Sequence, residues 1–180
     1  MIEVFVESIR VNMANYKRVV MLKEKTSSRY LPIWIGHFEA DAIAIPMQKV
    51  PVSRPLTHDL LRSAIDTLGA RLERVVINDL AEETFFAKLI LSQGGKTLEV
   101  DARPSDAIAL AIRAEVPIFV EEKVIESAGM VFEAEEDADA EGKAKGEESS
   151  PIDEEKLTVF RQFINTLNLE DPEKGGESKS

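Results

Sequence analysis

Two short stretches of this chain carry side chains that could do chemistry together. Arg54-Pro55-Leu56-Thr57-His58-Asp59 and Arg103-Pro104-Ser105-Asp106 each place an arginine, a proline, a hydroxyl and an acid at what reads as a helix start, and Asp101 stands two residues before the second. A helix N-terminus offers free N–H groups and partial positive charge, which suits phosphate oxygens. An adjacent arginine adds a planar, bidentate phosphate donor. Asp101, Asp106 and Asp59 could hold a divalent cation, Mg or Mn, or orient water. His58 could transfer a proton near neutral pH. Together these parts would suffice for phosphodiester hydrolysis, with Ser105 and Thr57 as further substrate contacts and Glu39 and Asp59 as second-line candidates.

The same residues have plainer uses. Thr57 and Asp59 are what any capped helix employs, Asp106 in a first turn suits the helix dipole, and Pro104 suits the first helical position. Arg103 and Asp101 could form a structural ion pair. Spacing alone favours capping over catalysis. A His37–His58 metal pair has no spacing signature, and His37, just after Gly36, reads as a helix-start residue.

The elements that must position these residues read as a mixture. Strands are expected over Glu3–Val11, around Val19–Leu22 and over Leu31–Ile35, where Gly36 ends the run. A helix follows Gly36 with Phe38, Ala42, Ile43 and Ile45 apolar, and Pro46 limits its regular part. A second helix has Thr57 as N-cap, Leu60, Leu61, Ala64, Ile65 and Leu68 on one face, and Gly69 at C′. Strands Leu72–Asp79, Thr84–Ser92 and Thr97–Asp101 come next, with Gly94-Gly95 a hairpin turn. A helix opens at Pro104, Pro117–Val120 is a short buried strand, and Val124–Ala128 is a last helical turn or two. The order favours an α+β fold over a doubly wound sheet, with a mixed or largely antiparallel sheet flanked by helices in one domain over residues 1–130. Trp34, Phe85 and Phe86, in apolar strand contexts, are expected in the core rather than as an exposed platform for single-stranded nucleic acid.

Composition sets the outer bounds. The chain has 180 residues, no cysteine and two histidines, which removes disulfides, thiol catalysis, Cys-ligated zinc and a histidine-rich metal centre. The start lacks a signal-peptide pattern and no stretch approaches a membrane span, so cytoplasmic location without membrane association is expected. The net charge is −11, but it is unevenly placed. Residues 1–129 carry 16 Lys+Arg against 18 Asp+Glu, whereas 130–180 carry 6 against 15. The domain is thus nearly neutral. Whole-chain acidity cannot veto a local phosphate site, nor does the domain show a basic stripe. Residues 131–151 read as an acidic disordered linker. In 152–170, Leu157, Phe160, Ile164 and Leu167 fall at helical spacing, and 171–180 is a polar end.

The string from Asp101 to Ile112, DARPSDAIALAI, resembles the hallmark of the bifunctional nuclease family. Leu31-Pro-Ile-Trp-Ile-Gly36 with Glu39-Ala-Asp-Ala-Ile43, Arg54 to Leu61, Thr84-Phe-Phe-Ala87 and Pro117-Ile-Phe-Val120 resemble its other blocks in the same order. Phe160-Arg-Gln-Phe163 and Leu169-Glu-Asp171 are similar to the tail of bacterial members. The resemblance implies a nuclease acting on RNA and DNA. One departure is visible, since family members often have Gly before the Thr-Phe block, where this chain has Glu83. The competing readings are a non-enzymatic adaptor or regulatory module that binds a protein partner, through the domain surface or the last helix, and a module for a small anionic ligand. A homodimer or other homo-oligomer is compatible with so many strands in a small domain.

Overall fold

In a computed structural model of the chain, residues 1–12 and 16–131 are described. The expected linker, C-terminal helix and polar end lie outside the described residues, apart from Val131. Three strands come in succession, the partly alternating β1 (Ile2–Val11), β2 (Arg18–Glu24) with its continuous apolar run, and β3 (Arg29–Ile35). Two helices follow, α1 (His37–Met47) and α2 (Thr57–Thr67). A meander of β4 (Ala70–Ala81), β5 (Thr84–Gln93) and β6 (Lys96–Ala102) leads to α3 (Pro104–Ala114). β7 (Ile118–Val120), α4 (Glu122–Ala128) and β8 (Met130–Val131) complete the domain.

The strands form one eight-stranded sheet in the order β6-β5-β4-β7-β1-β2-β3-β8. Every neighbouring pair is antiparallel except β4 and β7. The mixed, largely antiparallel α+β fold expected from the sequence is therefore the one observed. Because side chains alternate across a sheet, Val20, Leu22, Leu31, Ile33, Val75, Ile77, Leu89 and Leu91 share the face that meets the helices. α3 lies centrally, packed on β4 and β5 and against α1 and α2. It has almost no polar side, and Ala107, Ala109 and Ala111 are fully buried. Small side chains let the two outer helices approach closely, while Ile108 and Leu110 fill the core.

Several expectations need correction. α2 buries none of its residues, and Leu60 and Leu68 are 64% and 73% exposed. Its apolar stripe is real in sequence, but α3 already occupies the core position, so α2 becomes an outer layer. Phe38 points away from the core too, 82% exposed, while Ala40 and Ile43 are the buried residues of α1. Trp34 and Phe86 lie on the sheet face opposite the helices, as their register with Val19 and Asp79 requires, and both are substantially exposed. Phe85 packs against the core as expected. Thr57 is the first residue of α2 rather than its N-cap; Leu56 holds that position and its N–H donates to Asp59 Oδ2 at 2.8 Å. β8, pairing with β3, was not foreseen because two residues carry no readable period.

The β4–β5 and β5–β6 turns each have two central residues at positive φ, the pattern of a type I′ turn. Gly94 and Gly95 take it without strain, at φ 56° and 77°. Glu82 and Glu83 take it at 49° and 61°, which costs a residue bearing a Cβ about 1 kcal/mol or more. Glycine before Thr84 is thus the relaxed solution. We expect Glu83→Gly to raise stability by about 0.5–1 kcal/mol net of glycine's extra chain entropy, read as a higher urea midpoint. A lower midpoint would contradict the turn assignment.

Candidate functional site

The two Arg-Pro segments meet. His58, in the first turn of α2, places Nε2 3.1 Å from Asp106 Oδ1 in the first turn of α3. Arg103, at the N-cap of α3, grips the same carboxylate with Nε on Oδ2 at 2.7 Å and a terminal nitrogen on Oδ1 at 3.1 Å. Its other terminal nitrogen donates to Glu39 Oε1 at 3.0 Å. First turns from α1, α2 and α3 therefore converge on one guanidinium–carboxylate pair. The Arg103 side chain is 66% exposed and His58 13%, so the arginine faces solvent while the imidazole is held beneath.

Local geometry explains each placement. Pro104 at the first helical position fixes the start of α3 and leaves Arg103 extended, which sets its side chain back over Asp106, three residues on. A Cβ at Gly36 would collide with the Glu39 carboxylate. Glycine there lets Glu39 fold back towards the start of α1.

The electrostatics make Asp106 an anion. Burial is the largest influence and raises its pKa, but the Arg103 hydrogen bonds, then that of His58, outweigh it and hold the carboxyl below its ordinary 3.8. The same hydrogen bond to Asp106 holds Arg103 more firmly protonated. A carboxylate fixed on one ring nitrogen selects the histidine tautomer and its orientation.

Not every candidate joins this cluster. Asp101 lies exposed on edge strand β6, opposite Lys88 in register. Arg54 stays exposed in the loop before α2. Ser105 is buried at the second position of α3, which withdraws its hydroxyl from solvent, whereas Thr57 is exposed. His37 starts α1, as expected, and its Nε2 lies 3.9 Å from Asp41. Asp59 serves structure: besides capping Leu56 it accepts Arg113 Nε at 2.6 Å.

Arg113 was not singled out from sequence. It is buried in the last turn of α3 and also donates to the Ala42 carbonyl of α1 at 2.6 Å and the Ala109 carbonyl at 2.9 Å. Arg62 of α2 donates in turn to the Arg113 carbonyl. The available signal was a charge inside a helix with no polar side, exactly seven residues after Asp106 and so on the same face.

Among the described residues no group of three or more His, Cys, Asp or Glu side chains is placed to hold a metal ion. Both Asp106 oxygens already accept hydrogen bonds, Oδ1 from His58 and Arg103 and Oδ2 from Arg103. Asp101 and Asp106 do not fit a divalent-cation site as they stand. A cleft of about 580 Å³ lined by Arg62, Asp66, Arg71 and Glu73, among others, shares no residue with the cluster.

Residues 20–133 match the Bifunctional nuclease domain, and the chain belongs to that family. It is 42% identical to an uncharacterized protein of Mycobacterium tuberculosis over 169 residues, 94% of this chain and 96% of the other. It is 30% identical to Bifunctional nuclease 2 of Arabidopsis thaliana over 122 residues, 66% of this chain and 37% of the plant protein. Bifunctional nuclease 1 of Oryza sativa subsp. japonica is 24% identical over 120 residues, 65% of this chain and 36% of that one. Among the described residues no helix is long and apolar enough to cross a membrane.

Burial again raises the Asp59 pKa, but the Leu56 N–H and then Arg113 outweigh it, so Asp59 too titrates below 3.8. A carboxyl depressed in the folded state stabilises above its unfolded pKa, and that contribution disappears as pH falls through the folded value. Stability should therefore drop below about pH 4. Asp59→Ala should cost about 2–3 kcal/mol at neutral pH by leaving Arg113 without its counter-charge, and should blunt the acid loss. Urea unfolding at pH 7 and pH 3 checks both; unchanged midpoints in the variant would make the pair energetically idle.

Proposed function

We propose that the chain is a cytoplasmic nuclease that hydrolyses phosphodiester bonds in RNA and DNA. The observation that carries this reading is the convergence of His58, Asp106, Arg103 and Glu39 from three helix starts. With Nε2–H donated to Asp106, the His58 ring keeps the lone pair of Nδ1 for a water molecule. Arg103 uses part of its fork on Asp106 and Glu39 and keeps N–H groups on both terminal nitrogens for a phosphate. The water oxygen attacks phosphorus, its proton passes to Nδ1, and the bond to the leaving sugar oxygen breaks, that oxygen taking a proton from solvent. Arg103 stabilises the charge gathering on the phosphoryl oxygens. Attack by water needs no 2′-hydroxyl, so both ribose and deoxyribose backbones are competent.

The mechanism routes no step through a divalent cation, because both Asp106 oxygens already accept hydrogen bonds from Arg103. Asp101 and Arg54 take no direct part in this step.

A second reading has one observation of its own. The exposed leucines of α2, Leu60 and Leu68, offer an apolar ridge of the kind that binds a protein partner or a second copy. On that reading the chain is an adaptor and the ion-pair cluster holds the helices together.

Cleavage of labelled single-stranded RNA and DNA by rigorously purified protein decides between them. Wild type should cut both, in magnesium, manganese or chelator alike. Asp106→Asn should lose about 10²-fold or more in rate, the scale of a proton-transfer site, while keeping its circular dichroism spectrum and urea midpoint nearly intact. Asp101→Asn should fall well short of that loss. Equal cutting by wild type and Asp106→Asn would contradict the site, and no cutting by either would favour the adaptor.

A further inference from the structure

β2 is apolar on both of its sides. Val20 and Leu22 join the core beneath the helices, while Val19 and Met21 alternate with them and face the other way. Both are nonetheless buried, at 0% and 1% exposure. On β3, Trp34 stands in register with Val19, Pro32 with Met21 and Tyr30 with Lys23. Trp34 is 48% exposed, and Pro32 and Tyr30 are half-buried. An antiparallel sheet that meets water on one face normally turns polar residues to it, whereas a continuous apolar run marks a strand covered on both. Among the described residues no helix lies over this side, since α4 sends Val124 and Ile125 into the same core as Val20. β2 and β3 thus present an uncovered apolar strip, and two adjacent strands are about as wide as one helix.

We propose that residues 152–170 of the same chain, which lie outside the described residues, dock on this strip and turn Leu157, Phe160, Ile164 and Leu167 towards Trp34, Pro32 and Met21. The proposal does not depend on the nuclease reading. Those four apolar residues recur at helical spacing and so share one stripe. A helix this short is marginal alone in water, and the stripe needs a surface. The described chain ends at β8, which pairs with β3, so it leaves the domain beside the strand that carries Trp34. Residues 132–151 separate that point from the segment. A chain of that length has a coil span of roughly 25 Å, and β2 lies only about 10 Å from β8. Charge is complementary. Residues 130–180 carry 6 Lys+Arg against 15 Asp+Glu. The strip is bordered by Arg10, in register with Val19, by Lys17 Nζ 6.0 Å from the Trp34 centroid, and by Lys23 Nζ 5.2 Å from that of Tyr30. Tethering gives the segment an effective concentration near millimolar, ahead of a second copy or a free partner.

The chain has one tryptophan and no cysteine, so this contact can be read directly. A nitroxide attached at Arg161→Cys, beside the stripe, quenches indole fluorescence only at close range. In the full-length chain it should quench Trp34 strongly, and dilution should leave the quench unchanged. Adding Phe160→Asp and Ile164→Asp should abolish it, since losing two buried apolar side chains lowers the docked-to-free ratio about a hundredfold or more. Adding Thr158→Asp, which lies off the stripe, should preserve it. No quench in the labelled chain, or a quench that survives the two stripe aspartates, would overturn the docking. A quench that fades on dilution would overturn it too, and would make the strip a contact between copies. None of these outcomes touches the Asp106 dependence of cleavage.

Discussion

The buried guanidinium of Arg113 is the constraint on which the arrangement depends. A charge taken out of water is costly unless neighbours replace its hydration, and Arg113 finds those neighbours on three helices: Asp59 of α2, the Ala42 carbonyl of α1 and the Ala109 carbonyl of α3. α1 and α3 also share apolar packing. α2 fully buries none of its residues and meets the core through partly buried Ile65, so polar contacts largely decide where it sits. Arg113 fixes its first turn through Asp59, and the neighbouring residue, His58, is thereby brought to Asp106. Asp106 and Arg113 lie about two turns apart on one face of α3. One face of one helix thus anchors α2 at its reactive end and along its length.

Much of the frame was legible before any coordinates. The apolar runs of β1 to β5, the Gly94-Gly95 turn and the helix starts at Gly36 and Pro104 all depend on local chemistry, and local chemistry is written in sequence. The failures have a common cause. Apolar periodicity tells which residues share a face, not whether that face wins a place in the core. Leu60 and Leu68 lost theirs to α3, whose alanines pack against both outer helices, and Trp34 and Phe86 fell on the sheet face that no described helix covers. Such outcomes are settled by competition between distant segments.

The site divides in the same way. His58, Arg103 and Asp106 were readable because a proton-transfer group, a phosphate donor and an acid recur at paired helix starts. The structure adds Glu39 as a full member of that cluster. Asp59, read as a helix-start acid, is one. Its second task, the partnership with Arg113, spans 54 residues and leaves no local trace. Asp101 belonged to the hallmark string but points from an edge strand, two residues and a change of direction away from the cluster. Membership of the Bifunctional nuclease domain family says that these residues lie within one shared domain, residues 20–133. The geometry says which of them touch.

The central claim is that His58 and Asp106 act as one unit on the substrate, with the ring oriented by the carboxylate. The most direct measurement is a double-mutant cycle in cleavage rate, comparing His58→Gln, Asp106→Asn and the two combined. Groups that act as a unit are strongly non-additive, so the combined variant should be no slower than the slower single one. Losses that multiply in full would mean that the two side chains act independently, and would contradict the account.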